Sequence, residues 1–140
     1  MTNKFITIET MVTKPMRQIW EIWTLPEHIM NWNNASDDWH TPSAINDLRA
    51  GGSFNYTMAA KDGSFRFDFE GMYDEVILYR SIAYTLGDGR KVVIKFLEEP
   101  EGVRIIETFE AEDTFSKERQ RSGWQAILDN FKRYAENSAE

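Results

Sequence analysis

The C-terminal stretch of the chain restricts its fold more than any other part. Residues 116 to 138 read SKERQRSGWQAILDNFKRYAENS, an uninterrupted run of helix formers with no proline. Trp124, Ile127, Leu128, Phe131, Tyr134 and Ala135 recur at helical spacing, which lays one apolar stripe along one side of a helix. A helix of this length would span about 34 Å. Gly123 falls inside it. A glycine there costs about 1 kcal/mol relative to alanine, so a close neighbour is expected against it. Most of the upstream chain alternates in short strands. The stripe must therefore bury against a curved antiparallel sheet, an arrangement that can leave a cavity between the two.

The upstream pattern supplies that sheet. Ile6, Ile8 and Val12 share one face of a strand over 4 to 12. Thr13 or Lys14 is expected to cap a first helix with Pro15 in its opening turn, followed by Met16, Ile19, Trp20 and Trp23. Thr24-Leu25-Pro26-Glu27 matches a capping box for a second short helix over about 25 to 31. Residues 33 to 44 are rich in turn formers and read as a loop, with strands resuming near Ile45. Strands then follow through Phe54, Tyr56 and Met58, and through Phe65, Phe67, Phe69 and Tyr73. A bulge or bend is expected at Gly71. Further strands cover 81 to 86, 92 to 96 and 103 to 111, closed by Gly-rich or Pro-containing turns. The pattern predicts an α+β fold: about six or seven antiparallel strands, two short helices after the first strand, and one long C-terminal helix.

At 140 residues, one domain spanning 1–140 is expected. A net charge of −7 disfavours nucleic acid and anionic membrane surfaces as partners. Without cysteine there is no disulfide, thiolate catalysis or cysteine-held metal. No signal-peptide core or membrane-spanning run is present, so a soluble cytoplasmic protein is expected. Homodimer formation is compatible with this reading.

The order of elements and several short motifs resemble the helix-grip fold of the START and birch-pollen-allergen (SRPBCC) superfamily. Within it, the chain is similar to bacterial homologues of the eukaryotic activator of heat-shock protein 90 ATPase. The residues that carry the resemblance are Val12 to Trp23, Pro26 to Trp32, Asp47-Leu48-Arg49-Ala50-Gly51-Gly52-Ser53-Phe54 and Phe69-Glu70-Gly71-Met72-Tyr73. Gly87-Asp88-Gly89-Arg90 and Gln120-Arg121-Ser122-Gly123-Trp124 complete the set. The resemblance implies a hydrophobic cavity between sheet and helix. It extends to the C-terminal domain of the eukaryotic activator only. This chain shows no counterpart of the activator's separate N-terminal domain, which weighs against chaperone activation.

Alternation turns Phe54, Tyr56, Met58, Phe65, Phe67, Phe69, Tyr73, Tyr84, Ile94 and Phe96 toward the helix, and Trp20, Trp23, Trp32 and Trp39 come from the segment that would close one end. With the helical stripe these give a candidate pocket lining. It comprises Trp20, Trp32, Trp39, Phe54, Tyr56, Phe67, Phe69, Tyr84, Phe96, Glu107, Trp124, Ile127, Leu128 and Phe131. Its mouth is expected near residues 25 to 45, the one long irregular stretch. Glu107 stands out because it shares parity with Val103, Ile105, Phe109 and Ala111, which turns a carboxylate inward. A bulge near Ile105-Ile106 would instead turn it to solvent. Asp68 and Glu70 fall on the solvent face. His28 and His40, with Asp37 and Asp38 nearby, lack metal-ligand spacing and are expected to be exposed and unligated. Arg119 and Arg121 either pair with carboxylates of the Glu110 to Asp113 run or sit in a solvated first turn.

No nucleophilic triad, phosphate loop or dinucleotide fingerprint is present, so no cofactor or catalytic residue is implied. The leading reading is a module that encloses a small apolar or amphipathic molecule. The resemblance also leaves room for a polyketide-cyclase-like enzyme and for a chaperone-interacting protein.

Overall fold

The long C-terminal helix exists as one unbroken element, α3 (Lys117–Glu136), in the computed structural model, which describes residues 4–138. Ser116 caps it, its side-chain oxygen accepting from the Arg119 backbone N–H. Seven strands precede it: β1 (Phe5–Val12), β2 (Trp39–Asn46), β3 (Ser53–Ala60), β4 (Arg66–Ile77), β5 (Ser81–Leu86), β6 (Lys91–Glu99) and β7 (Gly102–Glu110). Two short helices, α1 (Met16–Thr24) and α2 (Pro26–Trp32), lie between β1 and β2.

The strands form a single antiparallel sheet in the order β1-β7-β6-β5-β4-β3-β2. β1 and β2 are therefore its two edges, and α1 and α2 carry the chain from one edge to the other. The sheet curls into a half-barrel: α3 packs against β1, α2 packs against β2, and α2 touches α3. Alternation decides which side chains face inward. In β7 every second residue is buried, as Val103, Ile105, Glu107 and Phe109.

One end of the interior is filled. Trp23 packs edge-on against Phe96 and Phe131, and Trp32 packs edge-on against Phe131. Trp20 meets Phe96 and Tyr79. The Trp32 indole N–H donates to the Ile22 carbonyl at 2.8 Å, which satisfies its one donor in this apolar end.

Several details depart from the sequence expectations. Strand β2 already begins at Trp39, where a loop was expected through residue 44. Pro42 is tolerated because β2 is an edge strand and the register slips between His40 and Ser43, where Pro42 owes no ladder hydrogen bond. Helix α1 opens at Pro15 with no side-chain cap, so neither Thr13 nor Lys14 caps it. Thr24 does not form a capping box either. Its hydroxyl donates back to the Trp20 carbonyl at 2.7 Å, and α2 starts from Leu25. The β4 ladder runs straight through Gly71, and the irregularity falls between Tyr73 and Glu75. Gly71 is needed for space: a Cβ there would lie 2.6 Å from the Thr85 carbonyl oxygen and 3.0 Å from the Phe54 ring. Phe65, expected to face the helix, is exposed just before β4.

The Asp47 to Phe54 motif now has a physical reading. Gly51 sits at φ +84°, and a Cβ on Gly52 would lie 2.2 Å from the Asp47 carbonyl oxygen. The turn they form is tied to β4 by reciprocal backbone bonds, Gly51 N–H to the Tyr73 carbonyl and Tyr73 N–H to the Gly52 carbonyl. This anchors Tyr73 beside the interior.

Candidate functional site

The other end of the interior is not filled. A cavity of about 380 Å³ lies between α3 and the concave face of the sheet. Its sheet wall is aromatic. Phe54 packs edge-on against Tyr84 and tilted against Tyr56 and Phe69. Its helix wall is Gly123, Trp124, Ile127 and Leu128. Trp124 is held by stacking on Phe109, ring centroids 3.9 Å apart and planes 8° from parallel, and by an edge contact to Phe69. Gly123 faces open space, for a Cβ added there meets nothing within 4 Å. The close neighbour expected against this glycine is thus absent. Here it widens the cavity.

Ten of the fourteen sequence-predicted lining residues border this cavity: Trp32, Phe54, Tyr56, Phe67, Phe69, Tyr84, Glu107, Trp124, Ile127 and Leu128. Four do not. Trp20, Phe96 and Phe131 belong to the filled end, and Trp39 sits at the sheet edge against Phe65 and Phe67. Met58 and Tyr73, expected on the helix-facing side of the sheet, and Trp23, expected at its closing end, also border the cavity. Sequence reasoning left out Thr24, Asn33, Arg90 and the segment that leads into α3, and also Ile82, which shares parity with Tyr84 on its strand.

The mouth is likewise elsewhere than expected. Trp32, Asn33 and Thr24 are buried, whereas the exposed lining residues are Phe67, Phe115 and Arg119. The opening therefore lies between β4 and the 112–119 segment. Gln120 fixes that segment's shape. Its buried side chain accepts from the Glu112 N–H at 2.8 Å and donates to the Glu112 and Phe115 carbonyls at 3.1 and 2.8 Å. Arg119 lies over the Phe115 ring, 4.4 Å from its centroid, and Arg121 donates to the Thr7 carbonyl at 2.7 Å. In this structure neither arginine pairs with the Glu110 to Asp113 carboxylates.

Two sets of polar groups on the cavity wall differ in how they are satisfied. The first is a chain of hydroxyls that satisfy one another. Tyr56 donates to Tyr73, Tyr73 donates to Asn46 Oδ1 at 2.6 Å, and the Asn46 amide donates to the Thr24 carbonyl at 2.7 Å. Burial pushes the Tyr73 hydroxyl up to about 12, and it raises Tyr56 and Tyr84 well above the ordinary tyrosine range.

The second set is unpaired. Glu107 is 7% exposed and points inward, in an unbroken β7 register between Ile8 and Ile94. The bulge that would have turned it out is absent. Burial alone pushes its carboxyl from 4.5 up to about 8. No ion pair or side-chain hydrogen bond reaches it among the described residues. Glu112 also lines the cavity, and its Oε1 is buried without a partner. Asp68 and Glu70 are exposed on the convex face, bonded to Thr57 and Asn55.

Among the described residues no cluster of three or more His, Asp or Glu side chains could hold a metal. His40 is exposed, but His28 is half-buried with its Nδ1 2.8 Å from the Tyr134 hydroxyl, which links α2 to α3. No helix among the described residues is long and apolar enough to cross a membrane.

Solved structures share this fold. The AHSA1-like protein from Aeromonas hydrophila is 41% identical, with a TM-score of 0.89 over 97% of this chain and 98% of that one. A protein from Cytophaga hutchinsonii is 51% identical, with a TM-score of 0.84 over 96% of this chain and 94% of that one. A protein from Chromobacterium violaceum shares the fold at 18% identity, with a TM-score of 0.84 over 97% of this chain and 100% of that one. No curated protein matches the chain. The family described as Activator of Hsp90 ATPase homolog 1-like protein matches residues 13–136. That match covers most of the chain, which therefore belongs to the Activator of Hsp90 ATPase homolog 1-like family.

Proposed function

We propose that the protein binds a small apolar or amphipathic molecule between α3 and the sheet. The observation that carries this reading is the cavity of about 380 Å³, walled by aromatic rings and open beside Phe115. That volume lies in the range of small-molecule sites, and an aromatic wall with a few polar groups suits a flat body. Native mass spectrometry of protein purified from its own host tests it directly. A co-purified small molecule is the expected result. Trp23, Trp32 and Trp124 border the cavity, so an entering ligand should also shift intrinsic fluorescence. An apo mass together with no fluorescence response to a panel of two-ring compounds would count against binding.

Glu107 gives a second reading some support. A buried carboxyl titrating near neutrality inside a cavity is a feature of general acids and bases, as a polyketide-cyclase-like enzyme would need. The binding reading is preferred because the hydroxyls of Tyr56 and Tyr73 are already engaged in the Asn46 chain. That leaves Tyr84 as the hydroxyl near Glu107, and burial, with Glu107 adding to it, raises it well above the ordinary tyrosine range, which suits it poorly to proton transfer near neutrality.

A further inference from the structure

The binding reading says nothing of ligand charge, and the cavity's own polar groups address it. Glu107 and Glu112 both line the cavity; no hydrogen bond or ion pair reaches the Glu107 carboxyl among the described residues, and Glu112 Oε1 is buried without a partner. Buried acceptors are ordinarily satisfied, and an unpaired buried carboxylate is costly. Two in one cavity describe a site whose missing half carries hydrogen-bond donors or positive charge.

The two cations at the cavity do not supply that half. The Arg90 side chain is held by Asp88 at 2.8 Å, and Arg119 is spread over Phe115 at the mouth. The rings of Phe54, Phe69, Tyr84 and Trp124 present faces and edges of the kind that surround ammonium groups. The net charge of −7 adds a field that favours cations over anions.

We propose that the cavity selects amphipathic amines, the flat apolar body lying among the rings and the protonated nitrogen meeting Glu107. This rests on the binding reading above and narrows it to one ligand class. The proton balance follows. Glu107 is held up to about 8, so it carries a proton in the empty cavity at pH 7, and an ammonium ligand must displace that proton to solvent. Tyr84 on β5 and Tyr56 and Tyr73 on β3 and β4 are raised by burial and stay neutral, the Arg90 side chain is paired with Asp88, and Glu112 lies on the segment that leads into α3. The neighbours on either side, Ile8 and Ile94, do not titrate.

The test is calorimetric titration of the full chain with naphthylethylamine, naphthylethanol and naphthylacetate, three probes that share one body. The amine should bind about tenfold more tightly at pH 9 than at pH 7 as Glu107 ionises, and the alcohol should show no such rise. At pH 7, in buffers of different ionisation enthalpy, amine binding should release close to one proton, and alcohol binding none. Glu107→Gln should abolish both the pH rise and the preference for the amine over the alcohol. Binding of the alcohol or the acid as tightly as the amine at pH 9 overturns the amine inference and leaves the binding reading standing. So does amine binding by the unaltered protein without proton release, a measurement that does not depend on the variant folding. If none of the three probes binds, the binding reading falls, and the inference with it.

Discussion

The cost of keeping Glu107 inside can be measured without any ligand. Burial moves its carboxyl from 4.5 in an open chain to about 8 in the folded protein. Between those values the unfolded chain has lost the proton and the folded protein still holds it. The unfolded state then binds fewer protons, so stability falls as pH rises through this window and levels off above about 8. At about 1.36 kcal/mol per pKa unit, the full loss is about 5 kcal/mol, of which about 3 kcal/mol is already gone at pH 7. These are upper figures, since water entering the cavity would soften the desolvation. Glu107→Gln keeps the shape and removes the titration, and every other group is shared by the two proteins. Urea unfolding of both at pH 5 and pH 9 isolates the effect. The stability of the amide variant relative to the parent should grow by about 4 kcal/mol between the two pH values. Growth of less than about 1 kcal/mol would refute the reasoning, because it would mean that Glu107 ionises in a hydrated position and is not buried as drawn.

Two further substitutions probe the cavity's helix wall. Gly123→Ala adds a methyl to open space, so it should raise stability by about 1 kcal/mol in urea unfolding through helix propensity alone. It should also weaken binding of two-ring probes, because the methyl enters the cavity. Trp124→Ala removes the ring stacked on Phe109 and should cost roughly 3 kcal/mol in the same assay. A loss below about 1 kcal/mol would show that the stack contributes little to holding α3 on the sheet.

Much of the fold was readable because two periods are written cleanly in the sequence. The stripe from Trp124 to Ala135 gave α3, and strict alternation gave β7 and the inward Glu107. β2 was not readable. Asn33 to Asp38 and Pro42 carry turn chemistry, and only the strand's place at the sheet edge, set by distant pairing, makes Pro42 acceptable. The site was half readable for a different reason. Alternation reports which face of the sheet a residue occupies and says nothing of what fills the space in front of it. Phe96 and Phe54 have the same pattern, yet Phe96 meets Trp20 and Trp23 while Phe54 borders a void. The difference comes from α1 and α2, whose tryptophans reach one end of the curl and not the other. The mouth was misplaced because Gln120, an ordinary polar residue in sequence, proves to be the buried side chain that shapes the 112–116 turn.

Costs in stability that converge on one place are evidence about what selection preserved there. Gly123 forgoes about 1 kcal/mol of helix propensity with no neighbour needing the room. Glu107 costs about 3 kcal/mol at pH 7 with no partner to offset it. Both border the same void, and a void in a core is itself a loss of packing. Alanine and glutamine are accessible replacements that would relieve the first two costs, so stability alone does not account for the residues found. A binding role does, since it needs the volume, the open helix wall and an unfilled acceptor together. The argument predicts that the stability of the double variant Gly123→Ala/Glu107→Gln relative to the parent grows by about 4 kcal/mol between pH 5 and pH 9, and that Gly123→Ala adds about 1 kcal/mol at both, unless the two sites couple through the shared cavity. The double variant should also lose affinity for amine probes. Urea unfolding and calorimetry of the same preparation check both halves. A double variant whose advantage over the parent does not grow with pH, and a Gly123→Ala change that adds nothing, would mean that the costs are not real, and the case for function drawn from them would fail with them.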